Sequence, residues 1–210
     1  MQGQKSFIRY YRIFFGGLGL SAVITEIAVL MERSVFIPAN FFSYFTIESN
    51  LLAIGLLLYL GIENKVRSKS KLLATLRGAV TLYMVMTCII FIVLLSGLEG
   101  TTLTAVPWDN VVLHYIMPVA VLADWLLDKS TVKLTFKRAL TWLIFPVSYV
   151  IYSLIRGAIV SWYPYPFLNP LPHGYLPIVI TSTVLIVGVV VTTWLLWLPL
   201  GKFKPTKQKD

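Results

Sequence analysis

The sequence predicts an all-α polytopic membrane protein, a bundle of six transmembrane helices with both termini on the cytoplasmic side. Three observations predict it. Of its 210 residues, 57% are hydrophobic and only 13% are charged. Apolar runs of about 20 residues, the length a helix needs to cross roughly 30 Å of hydrocarbon, recur along the whole chain. No stretch alternates polar and apolar residues, which excludes strands.

The first run, Phe7–Met31, follows a basic start. It is longer than a signal-peptide core and no small-x-small cleavage site follows it, so it is expected to stay as the first helix. The second, Phe41–Ile62, is apolar overall yet carries Ser43, Thr46, Glu48, Ser49 and Asn50 in its first half. The third, Leu72–Gly97, holds the single cysteine, Cys88, which is expected to pack and cannot form an intramolecular disulfide. The fourth, Trp108–Leu127, starts after Pro107 and contains His114. The fifth, Ala139–Val160, must stop at SWYPYPFLNPLPH, Ser161–His173, because proline fixes φ and donates no amide hydrogen. That segment reads as an interfacial aromatic belt containing Trp162, Tyr163 and Tyr165, and also as a rigid cap over a cavity. The sixth is Tyr175–Leu198. Residues 1–201 read as one transmembrane domain, and Lys202–Asp210 as a basic cytoplasmic tail without regular structure. The connections are short, so neighbours in sequence are expected to be antiparallel and adjacent.

Orientation follows from the cations. Of the 18 Lys and Arg, all but Arg33 and Arg156 fall on the side of the two termini. Cytoplasmic loops collect such charge, which puts both termini inside. The formal charge of +9 is therefore topological and faces anionic head groups, which argues against a nucleic-acid partner.

This topology places polar groups of four helices in one outer layer. At about 1.5 Å per residue, Thr46 and His114 both lie roughly 10 Å below the outer interface. Glu26 reaches the same level from the first helix, and Tyr152, Ser153 and Arg156 from the fifth. Ser43, Thr46 and Asn50 share one helix face, as do Asn110, His114 and Pro118 on the fourth helix. Glu48 points about 200° away from Thr46. Gly19, Ala22 and Glu26 form a small-residue stripe suited to close helix approach. Asp124 and Asp128, near the inner face, are expected to meet basic loop residues.

A threonine hydroxyl is a weak nucleophile that needs an adjacent base, and imidazole is the usual one. Thr46 and His114 at matched depth therefore suggest nucleophilic catalysis. The alternatives are a threonine bonded back to a carbonyl one turn earlier and a histidine that ties helices together. Glu26 and Glu48 could orient the imidazole, carry protons, or pin helices by pairing with Arg156. A metal site fits poorly, because His114 is the only histidine within the spans, His173 lies in the proline-rich loop, and no ligand spacing is present. No cofactor is implied.

FTIESNLL with Thr46, LHYIMPVAVLADWLL with His114, and SLIRGAIVSWYPYPFLNP resemble the androgen-induced membrane hydrolase family, in particular its bacterial branch. The resemblance covers nearly the whole chain and includes the six-span layout. It implies an intramembrane threonine hydrolase of fatty acid esters of hydroxy fatty acids, with Thr46 as nucleophile and His114 as base, in a bacterial cell membrane. The expected reaction takes a membrane lipid bearing an acyl chain through an acyl-threonine, with Asn50, Ser43 or Asn110 donating to the oxyanion and Glu26 orienting His114. Tyr152 and Arg156 complete the expected polar cavity. The competing expectation is a small-solute or proton-coupled transporter that uses the same cavity, and a third is a scaffold whose polar residues only join helices. The sequence leaves the oligomeric state open.

Overall fold

The computed structural model describes residues 2–66, 69–97, 104–172 and 174–201. His173 and the tail Lys202–Asp210 lie outside the described residues. Six helices among the described residues are long and apolar enough to cross a membrane: α1 (Gln2–Glu32), α2 (Phe45–Ile62), α3 (Lys71–Leu95), α4 (Pro107–Leu127), α5 (Phe136–Val160) and α6 (Tyr175–Leu198). No strand occurs among these residues. The fold is an all-α six-helix bundle of a multi-pass membrane protein.

Two apolar cores hold it together. The first joins α1 to α4 through Ala22, Ile54, Leu57, Met84, Leu113 and Met117. Small residues allow this approach: a Cβ on Gly19 would stand 2.7 Å from Met117 Cε and 2.9 Å from Ile54 Cγ1. The stripe read from the sequence thus packs against both α2 and α4. The second core joins α3, α5, α6 and the α5–α6 loop through Tyr83, Trp142, Tyr149, Tyr165, Leu168 and Val189. In α3, 61% of the most apolar window is buried, against 17% in α5 and in α6, so α3 is the central helix. The expectation that all sequence neighbours pack together fails at α4–α5, because α5 lies chiefly against α3 and α6. The connecting loop carries the chain across: Leu134 is buried in the second core, and Trp197 Nε1 donates to its carbonyl at 2.7 Å.

Several helices depart from the regular spans expected. The run Phe41–Ile62 is not continuous. Pro38 opens a short turn that ends at Phe41, and α2 starts afresh at Phe45 after an extended Tyr44 (φ −81°, ψ 127°). A π-turn, Phe91–Leu95, ends α3, and a second one, Val112–Ile116, interrupts α4. Helix α5 stops at Ser161, which is left-handed with φ 53°, just ahead of the prolines.

At the end of the bundle far from Thr46, a buried ion cluster pins three helices. Arg12 of α1 donates Nε to Asp124 Oδ1 at 2.6 Å and Nη2 to Asp128 Oδ2 at 2.7 Å. Arg77 of α3 donates Nη2 to Asp124 Oδ2 at 2.9 Å and Nη1 to the Asp128 carbonyl at 2.7 Å. The aspartates therefore pair with arginines inside the bundle, and the expectation of loop partners is corrected. Burial explains the difference: a carboxylate withdrawn from water needs a fixed partner at close range.

Candidate active site

Thr46 stands in the first turn of α2, two residues after the extended Tyr44. The first amides of a helix have no partner within it. Here tyrosines supply the acceptors: Phe45 N–H donates to Tyr149 Oη at 3.2 Å and Thr46 N–H to Tyr165 Oη at 3.3 Å. Tyr149 is itself held by donating to the Ser43 carbonyl at 2.9 Å. The break before α2 thus brings a hydroxyl to a helix N-terminus, where the helix dipole favours negative charge.

His114 lies within the π-turn of α4. Its Nε2 is 3.3 Å from Thr46 Oγ1, and its Nδ1 is 3.1 Å from the Asn110 carbonyl. A carbonyl only accepts, so Nδ1 carries the hydrogen and Nε2 is left as the acceptor for the threonine hydroxyl. The ring stacks on Phe91 at 4.0 Å and 23°, which fixes its plane. Both stacked residues come from π-turns, a local irregularity often found at functional sites. Thr46 and His114 are 8% and 3% exposed, so the pair is shielded from bulk water.

Tyr165 is the third group at this point. Its hydroxyl is 3.4 Å from Thr46 Oγ1 and it is 6% exposed. Burial pushes its phenol up to about 12, so at neutral pH it remains an O–H donor. Its ring stacks on Phe167 at 5.1 Å and 4°. The sequence suggested an aromatic belt for Tyr165, and that reading is corrected: it lies inside the protein beside Thr46. The available signal was its place between Pro164 and Pro166, which restricts its backbone and carries no hint of its partner.

The other expected site residues are placed as follows. Glu26 lines the same cavity as Thr46 and His114, but its two oxygens accept from the Ala105 amide at 2.9 and 2.7 Å. The Asn110 carbonyl, not Glu26, orients the imidazole. Asn50 donates Nδ2 to the carbonyls of Thr46 at 2.8 Å and Leu113 at 3.1 Å, tying α2 to the π-turn of α4. Ser43 donates to the Ala39 carbonyl at 2.6 Å and meets Tyr152 Oη at 2.8 Å. Arg156 donates to Asn40 Oδ1 at 2.7 Å and covers the Trp162 ring at 4.9 Å. No ion pair joins Glu48 to an arginine among the described residues. Of the seven supporting residues expected around the cavity, Glu26 is on its wall, Ser43, Glu48, Asn50, Asn110, Tyr152 and Arg156 are not, and Tyr152 and Arg156 line a separate pocket. Ser43 and Asn50 direct polar atoms to backbone carbonyls, and Tyr152 and Arg156 direct theirs to the side chains of Ser43 and Asn40.

The cavity is about 300 Å³ and mixed in character, with Glu26, Arg33, Asn40, Tyr44, His114 and Trp162 on its wall. A second cavity of about 250 Å³ lies between α3, α5 and α6 and is lined almost wholly by apolar side chains. No group of three or more His, Cys, Asp or Glu suited to a metal ion occurs among the described residues. Compared with protein-family models, curated proteins and solved structures, the chain gives no match.

Proposed function

We propose that the protein is an intramembrane lipid ester hydrolase with Thr46 as nucleophile and His114 as general base. The observation that carries this reading is the 3.3 Å contact between Thr46 Oγ1 and an imidazole nitrogen left as acceptor by the Asn110 carbonyl. A working nucleophile–base pair lies at about 2.6–3.2 Å, and such contacts tighten in the reacting complex. The resemblance to the androgen-induced membrane hydrolases supports the same two roles and makes fatty acid esters of hydroxy fatty acids the first substrates to try. We place the chain in a bacterial cell membrane with both termini cytoplasmic and no nucleic-acid partner.

His114 Nε2 takes the Thr46 proton as Oγ1 attacks the ester carbonyl. The carbonyl oxygen becomes an oxyanion. Collapse of the tetrahedral intermediate breaks the bond to the alkoxy oxygen, to which His114 returns the proton. Water, activated by the same nitrogen, then cleaves the acyl-threonine and regenerates the hydroxyl. The Tyr165 hydroxyl is the donor closest to the reacting oxygen and stabilises the negative charge. Tyr165→Phe is therefore expected to lower turnover about 100-fold, the loss typical of one oxyanion donor, with KM little changed. Steady-state kinetics with a chromogenic ester measure it, and an unchanged rate removes Tyr165 from the mechanism.

The reading is tested with a fluorophosphonate probe on the protein in detergent or nanodiscs. The expected result is a single adduct on Thr46 that preincubation with a lipid ester suppresses and that Thr46→Ala abolishes. No adduct on the parent, or an adduct that survives in the variant, overturns it.

A further inference from the structure

Among the described residues, three border both cavities: Thr46, Tyr165 and Leu95. They form the partition between a mixed chamber and an apolar groove. His114 borders only the mixed chamber. The nucleophile thus faces two compartments while its base faces one.

We infer that the two cavities are the two arms of a single substrate, an ester of one fatty acyl chain with a polar alcohol, and that the acyl arm lies in the groove between α3, α5 and α6. This rests on the hydrolase reading above. The group that protonates the departing alcohol and activates the incoming water must stand on the side where alcohol leaves and water arrives. That is the His114 side, whose wall includes Arg33, Asn40 and Tyr44. The acyl carbon stays bonded to Thr46 Oγ1 between the two half-reactions, so its chain must extend the other way. There the wall is apolar, with Met86, Ile90, Val150 and Val189 among its members, and an alkyl chain removes apolar surface from water at no polar cost. Val147, Ile151 and Ile186, which line the groove, are 46%, 54% and 54% exposed. The groove is therefore open sideways towards lipid, and a chain longer than the groove continues into the bilayer. The acyl-threonine holds its chain there while water reaches the ester carbon through the mixed chamber.

The experiment compares two esters of similar size and opposite polarity, monopalmitoylglycerol and hexadecyl acetate, on the parent protein and on Ile186→Trp. A second measurement uses a palmitic acid analogue with a diazirine near its tail, crosslinked to Thr46→Ala in nanodiscs. The expected results are a preference for monopalmitoylglycerol of about 100-fold and a loss in Ile186→Trp of about tenfold that grows with acyl length and spares a butyryl ester. The crosslink is expected on the Met86–Ile90 segment, where Met86 is only 3% exposed and so not simply in the lipid annulus, and Ile186→Trp is expected to remove it. Equal cleavage of the two esters, or a tryptophan effect independent of acyl length, overturns the inference and leaves the hydrolase reading standing. If neither ester is cleaved, the fluorophosphonate adduct on Thr46 decides the hydrolase reading and the crosslink decides the groove: present and removed by Ile186→Trp, the chain site stands; absent, it falls.

Discussion

Thr46→Ala and His114→Ala are each expected to lower ester hydrolysis about 1,000- to 10,000-fold, and the double variant to be no slower than either single one. General acid–base assistance contributes about 100- to 10,000-fold, and a nucleophile and its base act as one unit, so their losses do not add. The geometry argues that neither change harms the fold. Among the described residues the Thr46 hydroxyl meets only His114 and Tyr165, and its backbone contacts survive in alanine. His114 forms one face of a cavity, so truncating it enlarges an existing space instead of opening a new one in a core. Hydrolysis by the purified variants, read together with their thermal melting, checks this. Losses that multiply in the double variant would mean that the two side chains act separately, and an active Thr46→Ala would dismiss the nucleophile.

Arg12→Met is expected to destabilise the bundle by about 3–5 kcal/mol, the cost of breaking a buried ion pair from one side. Arg12 is 0% exposed and contacts both Asp124 and Asp128, at 2.6 and 2.7 Å. Its removal takes one of the two arginines from a pair of enclosed carboxylates, although Arg77 keeps its own bonds at 2.9 and 3.3 Å. The fold contains its own comparison. Lys65 and Glu63 approach to 3.9 Å, with side chains 43% and 52% exposed. Lys65→Ala is expected to change stability by less than about 1 kcal/mol, because water screens that pair. Thermal unfolding of both variants in the same detergent measures the contrast, and equal melting points for Arg12→Met and the parent would show that the cluster contributes little.

The six spans were legible because a length of apolar chain is a property of the chain itself. The meeting of Thr46 and His114 was legible as a matched depth, which needs only a topology and the helix rise. What was not legible depends on contacts across long separations or on backbone irregularity. Nothing in VLHYI announces a π-turn, and nothing in FFSYF announces the break that places Thr46 in a first turn. Tyr165 meets Thr46 across 119 positions of chain, so no local pattern could link them. Arg12 and Arg77 are among the cations on the side of the two termini, yet both are buried at 0% and 6% in the ion cluster. A charge that serves packing reports nothing about which side of a membrane it faces, so the expected orientation rests on the remaining loop cations.

The light packing of α5 and α6 has a consequence for how the surroundings act on the protein. With 17% of each apolar window buried, these two helices are retained largely by the hydrocarbon around them, and local opening is easiest where protein contacts are fewest. Thicker, stiffer or more crowded bilayers press directly on this seam, so the same molecule reconstituted in different lipid mixtures will behave as if it had been mutated.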